Sequence, residues 1–267
     1  MVLIMRSYKS LPTELVGPDG THSEDDLLAI ETALEVRLNN DFLATFVCSP
    51  GLEAELAIGH LLSTGIVESF ADISDIRYSG HRCFIKTRED VKPNIDRGFS
   101  QVRRFIGTEC SAPEILRELR AAYGIPSISQ SNEIDLSDLF AAADLLRRSQ
   151  DARRKTGAFH GALVKSLYQN RHVISEDLGR HNAVDKAIGS AIKQNFDLTN
   201  CLLISSGRLT ADVVSKCAWT SIPLLVSFAV STDAGVKFAQ KANLTLVGAL
   251  KGKTMRVYNR GACRLVG

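Results

Sequence analysis

No stretch of this 267-residue chain is apolar over anything near the ~20 residues of a membrane-spanning helix. The opening Met1-Val2-Leu3-Ile4-Met5-Arg6 is too short for the apolar region of a signal peptide, so a cytoplasmic protein with no membrane partner is expected. Charge of one sign is also lacking. Thirty-two Lys and Arg face 30 Asp and Glu, the net charge is +2 and the pI about 8.2, which gives no reason to expect a nucleic-acid partner. Any grip on a polyanion must come from local patches. Six cysteines are present, at 48, 83, 110, 201, 217 and 263, but no two form C-x-x-C, and neither zinc-ribbon nor zinc-deaminase spacing occurs. No bound metal is expected. Most of the cysteines sit in apolar stretches, where in a reducing compartment they read as small buried residues and not as disulfides. There is no internal repeat and no low-complexity segment.

Ordinary globular composition is what remains: 45% apolar and 23% charged residues, in a length that suits one large domain or two modest ones. The first part reads as strand-rich α+β. Alternation at 34–38, the turn Asn39-Asn40-Asp41 and a strand over 42–47 make a hairpin. Ser49 as cap and Pro50 at the first helical position then start a helix to about 62. Strands at 73–78 and 83–87 follow. Residues 88–104 are charged and turn-prone, so the boundary falls near there, giving a small domain over 1–108 and a larger one over 109–267. Helices are predicted at 113–123 and 136–148, the second capped by Asp135 with Asp138 three residues on. From 157 strands and helices alternate: strands at 159–164, 172–174, 201–205, 223–228, 244–250 and 255–258, with helices to 193 and over 211–220 and 233–242. That alternation predicts a mostly parallel sheet covered on both faces.

Chemistry concentrates at the strand-to-helix turns. The stretch 175–189 holds six ionisable groups: Glu176, Asp177, Arg180, His181, Asp185 and Lys186. Asn182 can cap the helix and Asp185 can close a capping box, but neither explains Arg180 and His181. Facing outward, those two would grip an anion with the carboxylates orienting them; a surface ion-pair network is the alternative. Ser205-Ser206-Gly207-Arg208-Leu209-Thr210 repeats the design one unit later. Thr210 suits the N-cap, Gly207 admits a ligand close to backbone, and Arg208 adds charge, so the turn is either a phosphate site or simply well capped. The hydroxyl-rich turn 227–233 should share the same sheet edge, within reach of His160, which otherwise reads as a packed strand histidine. Cys110 alone lies in a polar turn before a helix start, where a thiolate gains from the helix dipole, although Glu109 opposes it. An unreactive exposed cysteine is the plain alternative.

The run Glu176-Asp177-Leu178-Gly179-Arg180-His181-Asn182-Ala183-Val184-Asp185-Lys186 resembles the formate dehydrogenase accessory sulfurtransferase (FdhD) family, which reads E-D-V-G-R-H-N-A-V-D-K there. Ser206-Gly207-Arg208, Ile222-Pro223-Leu224-Leu225-Val226-Ser227 and Leu244-Thr245-Leu246-Val247-Gly248 continue the resemblance in order, over nearly the whole chain. It implies a three-layer α/β/α cytidine-deaminase-like domain behind a smaller α+β N-terminal domain. It also implies a sulfurtransferase that carries persulfide sulfur from a cysteine desulfurase to the molybdenum cofactor, bis-molybdopterin guanine dinucleotide, for a molybdenum or tungsten formate dehydrogenase. The cofactor would be bound transiently, with guanine nucleotide as mimic. Cys110 would carry the persulfide; Arg180, His181, Ser206, Gly207, Arg208 and the segment Ala249, Leu250, Lys251, Gly252, Lys253 and Thr254 would bind the cofactor. The family's C-x-x-C is incomplete, since Gly107 or Pro113 replaces one cysteine, and relay between two thiols at this site is ruled out. A non-catalytic cofactor-binding chaperone is therefore the rival expectation, and an unrelated nucleotide-binding enzyme a third. A two-fold dimer is the default assembly.

Overall fold

The computed structural model describes residues 7–95 and 124–267, with the backbone of 105 and 106. The expected boundary at 108/109, the helix 113–123 and Cys110 lie outside the described residues.

In chain order the first strands are β1 (Tyr8–Gly17), β2 (Gly20–Ala29), β3 (Thr32–Leu38) and β4 (Asp41–Cys48), followed by helix α1 (Glu53–Ser63). Then come β5 (Ile73–Ser79), β6 (Arg82–Thr87) and the short β7 (Phe105–Ile106). β1 and β2 form a hairpin of their own, and the other five build a sheet in the order β5-β6-β3-β4-β7. Asn39 and Asn40 take positive φ of 52° and 73°, the pairing that lets a two-residue turn match strand twist. α1 covers this sheet through Leu56, Ile58 and Leu61, which pack with Leu34, Val36, Phe46 and Ile85. Each such fully buried aliphatic side chain contributes about 1.5–3 kcal/mol.

The larger part begins with β8 (Asn132–Asp135), α2 (Leu136–Ser149) and α3 (Asp151–Thr156). It continues with β9 (His160–Ser166), β10 (His172–Asp177), α4 (Arg180–Lys193), β11 (Cys201–Ser205), α5 (Ala211–Trp219) and β12 (Leu224–Ser227). α6 (Asp233–Lys241), β13 (Thr245–Lys251), β14 (Thr254–Asn259) and β15 (Cys263–Val266) complete it. Its sheet runs β10-β9-β11-β12-β13-β14, and β15 pairs separately with β8. Period-2 alternation sorts the buried strands' side chains. Leu203 and Leu225 face α4, α5 and α6, while Leu202, Ile204, Leu224 and Val226 face α2. Asp135 caps α2 as expected, accepting from Ser137 N–H at 2.9 Å. Among the described residues no helix is long and apolar enough to cross a membrane.

The sheet is mixed, not mostly parallel. Only β11–β12 and β12–β13 run parallel; β10–β9, β9–β11 and β13–β14 are antiparallel. The connections explain this, because the loop 167–171 and the turn 252–253 are too short for the crossover a parallel pair needs.

α1 and α4 join the two parts. A Cβ at Gly59 would stand 1.9 Å from Asp185 O, and one at Gly189 2.0 Å from Glu55 O, so the two backbones cross in direct contact. The helix start also differs from expectation. Leu52, at φ 61°, is the N-cap, with no side-chain cap bond. Ser49 instead turns to the other part of the molecule, giving its backbone N–H and its hydroxyl to Asp177 Oδ2, both at 3.0 Å.

Candidate functional site

β9 and β11 lie side by side, so the first residue of β9 meets the turn after β11. His160 Nδ1 stands 3.2 Å from Ser206 Oγ, and Gly161 N–H donates to the same hydroxyl at 3.0 Å. Gly207 N–H donates to Ser205 Oγ at 3.1 Å, while the Ser227 hydroxyl donates to Gly207 O at 2.6 Å. Leu209 and Ser231 bridge the next step. The turns after β11 and β12 therefore share one sheet edge, as their succession predicts. Thr210 occupies the N-cap of α5, but its hydroxyl makes no cap bond.

Arg180, the first residue of α4, completes the cluster. A Cβ at Gly207 would stand 2.7 Å from Arg180 Cβ and 2.8 Å from its Cδ, so the missing side chain lets the arginine stem lie on the turn. Arg180 is 3% exposed, which corrects the outward-facing side chain expected from the sequence. His181 is half-buried and Arg208 exposed. A third guanidinium arrives from α3: Arg153 donates to Phe159 O at 3.1 Å, one residue before His160. The His160 pKa is held below its ordinary value, first by burial and then by Arg153, Arg180 and Arg208, with Asp177 opposing. The edge is a cationic crevice around a neutral imidazole.

The rest of the 175–189 stretch is neither a surface ion-pair network nor a ligand-facing wall. Asn182 does not cap, since Gly179 is the N-cap; its amide donates to Val47 O at 2.8 Å and Asp177 Oδ1 at 3.0 Å. Asp177, fully buried, pairs with Lys186 Nζ at 2.7 Å, and Lys186 donates to Ser49 O at 2.8 Å. Asp185 closes no capping box. It receives two bonds from Lys216 Nζ at 2.8 Å and one from the Ser63 hydroxyl at 2.7 Å, with His60 Nδ1 at 3.6 Å. Burial raises the Asp185 pKa, but Lys216 and His60 outweigh it and bring it down to about 2. Glu176 accepts the N–H groups of Ala152 and Arg153 at 3.0 and 2.9 Å, fixing the start of α3. His60, Ser63, Lys216 and Arg153 were not legible as partners, because none neighbours the motif in sequence.

The 249–254 segment divides. Ala249 N–H donates to Ala229 O at 2.8 Å and Arg147 donates to Leu250 O at 3.0 Å, which holds these two against the turn edge. Ala249 takes φ 51° where the β13–β14 register shifts. Lys251, Gly252, Lys253 and Thr254 form the exposed hairpin tip, closed by the Thr254 hydroxyl on Lys251 O at 2.9 Å.

The described cysteines are all buried. Burial pushes the thiols of Cys48, Cys201 and Cys263 up to about 12 and that of Cys83 to about 11, and raises Cys217 as well. None forms a thiolate near neutral pH.

The fold and this cluster define a mixed α/β protein with arginines gathered at the turn edge of its larger sheet. Residues 29–265 match the model of the FdhD/NarQ family, and the chain belongs to that family. It is 30% identical over 255 residues to the sulfur carrier protein FdhD of Nocardia farcinica, covering 93% of this chain and 91% of that protein. The sulfur carrier protein FdhD of Sulfolobus acidocaldarius is 30% identical over 247 residues, with 88% and 90% covered. A crystal structure of a protein described as a formate dehydrogenase accessory protein, from Desulfotalea psychrophila, superposes with a TM-score of 0.77 at 23% identity. It covers 95% of this chain and 97% of its own, and bears on the fold alone.

Proposed function

We propose that this protein is a sulfur carrier in formate dehydrogenase maturation. Cys110 accepts persulfide sulfur from a cysteine desulfurase, and the crevice holds the guanine dinucleotide part of the molybdenum cofactor that receives it. In the first step the Cys110 thiolate attacks the terminal sulfur of the donor's persulfide. One S–S bond breaks, another forms, and the donor cysteine leaves as thiolate, with no net oxidation. The observation that carries this reading is the cluster of Arg153, Arg180 and Arg208 at a glycine-bearing turn edge, matched to the phosphates of a nucleotide. Two further facts support it. The five described thiols are buried and raised, which leaves Cys110 for the chemistry. Ile106, on β7, pairs with Phe46 of β4, the strand that leads to Ser49 and its bonds to Asp177. The larger part, with helices on both faces of its sheet, is read as the cytidine-deaminase-like α/β/α domain of residues 109–267, behind the α+β domain of residues 1–108.

Incubation with a cysteine desulfurase and cysteine, followed by mass spectrometry, tests the chemistry. A reductant-labile gain of one sulfur on Cys110, abolished by Cys110→Ala, is the expected result. The second reading, a cofactor-binding chaperone without sulfur transfer, is favoured by the glycine at position 107 in place of a second cysteine. It is upheld if no persulfide forms while guanine nucleotide still binds.

A further inference from the structure

We propose that His160 is a ligand-binding group of the crevice, which takes up a proton as a diphosphate diester binds and holds it as an imidazolium. This rests on the nucleotide-binding reading above and adds to it a residue and a proton.

The ring is mounted to change charge without moving. Gly161 N–H donates to Ser206 Oγ at 3.0 Å, and the hydroxyl can either donate to His160 Nδ1, 3.2 Å away, or accept from it. With the neutral ring's hydrogen on Nε2, the hydroxyl donates to Nδ1. On protonation Nδ1 becomes a donor, and the same hydroxyl oxygen accepts from it. Either way the ring stays on Ser206, and Nε2–H remains a donor.

Several charged groups act on the ring. Arg153 faces it from α3, Arg180 from α4 with His181 next in that helix, and Arg208 from the turn after β11. Two carboxylates approach from β10, and both are committed elsewhere. Asp177, paired across the ladder with His160, holds Lys186 at 2.7 Å. Glu176 holds the first N–H groups of α3. Burial first, and then the three guanidinium groups, hold the imidazole pKa down, with Asp177 opposing. A diphosphate diester brings two fixed negative charges that do not titrate near neutrality. It offsets the arginines' share of that shift and raises the pKa of the bound ring toward the imidazolium. The proton comes from solvent and no bond is broken. The sign follows. The bound form has the higher pKa, so the gain in affinity is present at low pH and is lost as pH rises through that bound value.

A guanosine diphosphate sugar is the probe, because its diphosphate is a diester, and titration calorimetry is the measurement. Binding should be ~10-fold tighter at about pH 6 than at about pH 8, on either side of the ordinary imidazole range, with up to about one proton taken up. The uptake is read from heats in buffers of different ionisation enthalpy. In His160→Asn the pH dependence should vanish while binding at the higher pH persists. Equal affinity at both pH values, or a dependence that survives in His160→Asn, overturns the proposal. No binding by the wild-type chain at either pH defeats the nucleotide-binding reading itself, and this proposal with it. If the variant does not fold, NMR of the His160 ring in the wild-type protein decides. Its pKa must rise when the probe is added, and an unchanged value overturns the idea.

Discussion

Gly59→Ala should destabilise the protein far beyond what one methyl group suggests. The new Cβ would stand 1.9 Å from Asp185 O and 2.6 Å from its carbonyl carbon. Relief to an ordinary contact of 3.4 Å requires α1 and α4 to part by roughly 1.5 Å, with Gly189 against Glu55 O at 2.0 Å sharing the same crossing. Overpacking of this kind costs about 1–3 kcal/mol. The separation also strains the Ser63 bond to Asp185, 2.7 Å long, and a buried bond to a charged group is worth about 1.5–3 kcal/mol. Alanine's better helix propensity returns about 1 kcal/mol. A net loss of about 2–4 kcal/mol is expected, which with a urea slope of a few kcal/mol per molar moves the midpoint by ~1 M. Urea unfolding followed by the fluorescence of Trp219, the chain's single tryptophan, measures it. Gly17→Ala is the control, because a Cβ there meets nothing within 4 Å. If Gly59→Ala matched that control to within about 0.5 kcal/mol, the direct-contact crossing would be refuted.

Asp185→Asn leaves Lys216, 4% exposed, without its counter-charge and should cost about 3–5 kcal/mol, with Asp185→Asn/Lys216→Met recovering much of it in the same urea assay. Because the Asp185 pKa is depressed from 3.8 to about 2, its contribution is complete above about pH 4 and is lost as pH falls through 2; it is worth about 2 kcal/mol, readable as a drop in thermal midpoint across that window. Gly207→Ala should push Arg180 off the turn, weakening binding of a guanosine diphosphate sugar ~10-fold or more while circular dichroism stays native. Iodoacetamide should label at most one thiol per native chain and all six in denaturant, and native labelling of any of the five buried cysteines would contradict their environment.

The elements whose signal is local were legible. The Asn39-Asn40 hairpin, the Asp135 cap and the succession of strands and helices from β9 to β14 lie where periodicity and turn chemistry put them. What failed depended on distant partners. Ser49-Pro50 has the composition of a helix start, yet Asp177, 128 residues away, takes the Ser49 hydroxyl and the helix begins later, at an αL leucine. Strand direction was lost because sheet order is not local. β11 pairs with β9 and not with β10, which precedes it through α4. β8 and β15 are four residues each and pair only with one another, too short to register as strands on their own.

The same distance dependence explains why the charged motif looked like a binding surface. Density of charge marks a site only when the charges lack partners, and a sequence shows the charges without the partners. Here Ser49, Ser63, His60 and Lys216 supply them from α1, the loop before it and α5, so Asp177, Asp185 and Lys186 are enclosed. The enclosure has a consequence for the crevice. Asp177 Oδ1 accepts from both Gly179 N–H and the Asn182 amide, at 2.9 and 3.0 Å, while its other oxygen holds Lys186 and Ser49. One carboxylate thereby fixes the turn, the first helical turn and the neighbouring part of the molecule together. Arg180 leaves that fixed turn directly onto Gly207, so its stem is held between the turn and the glycine. On the proposed reading, an anion at this edge would meet a side chain already ordered, so the entropy of ordering it is met in folding and not in binding. A substitution at Asp177 or Lys186 should then weaken that binding by displacing Arg180.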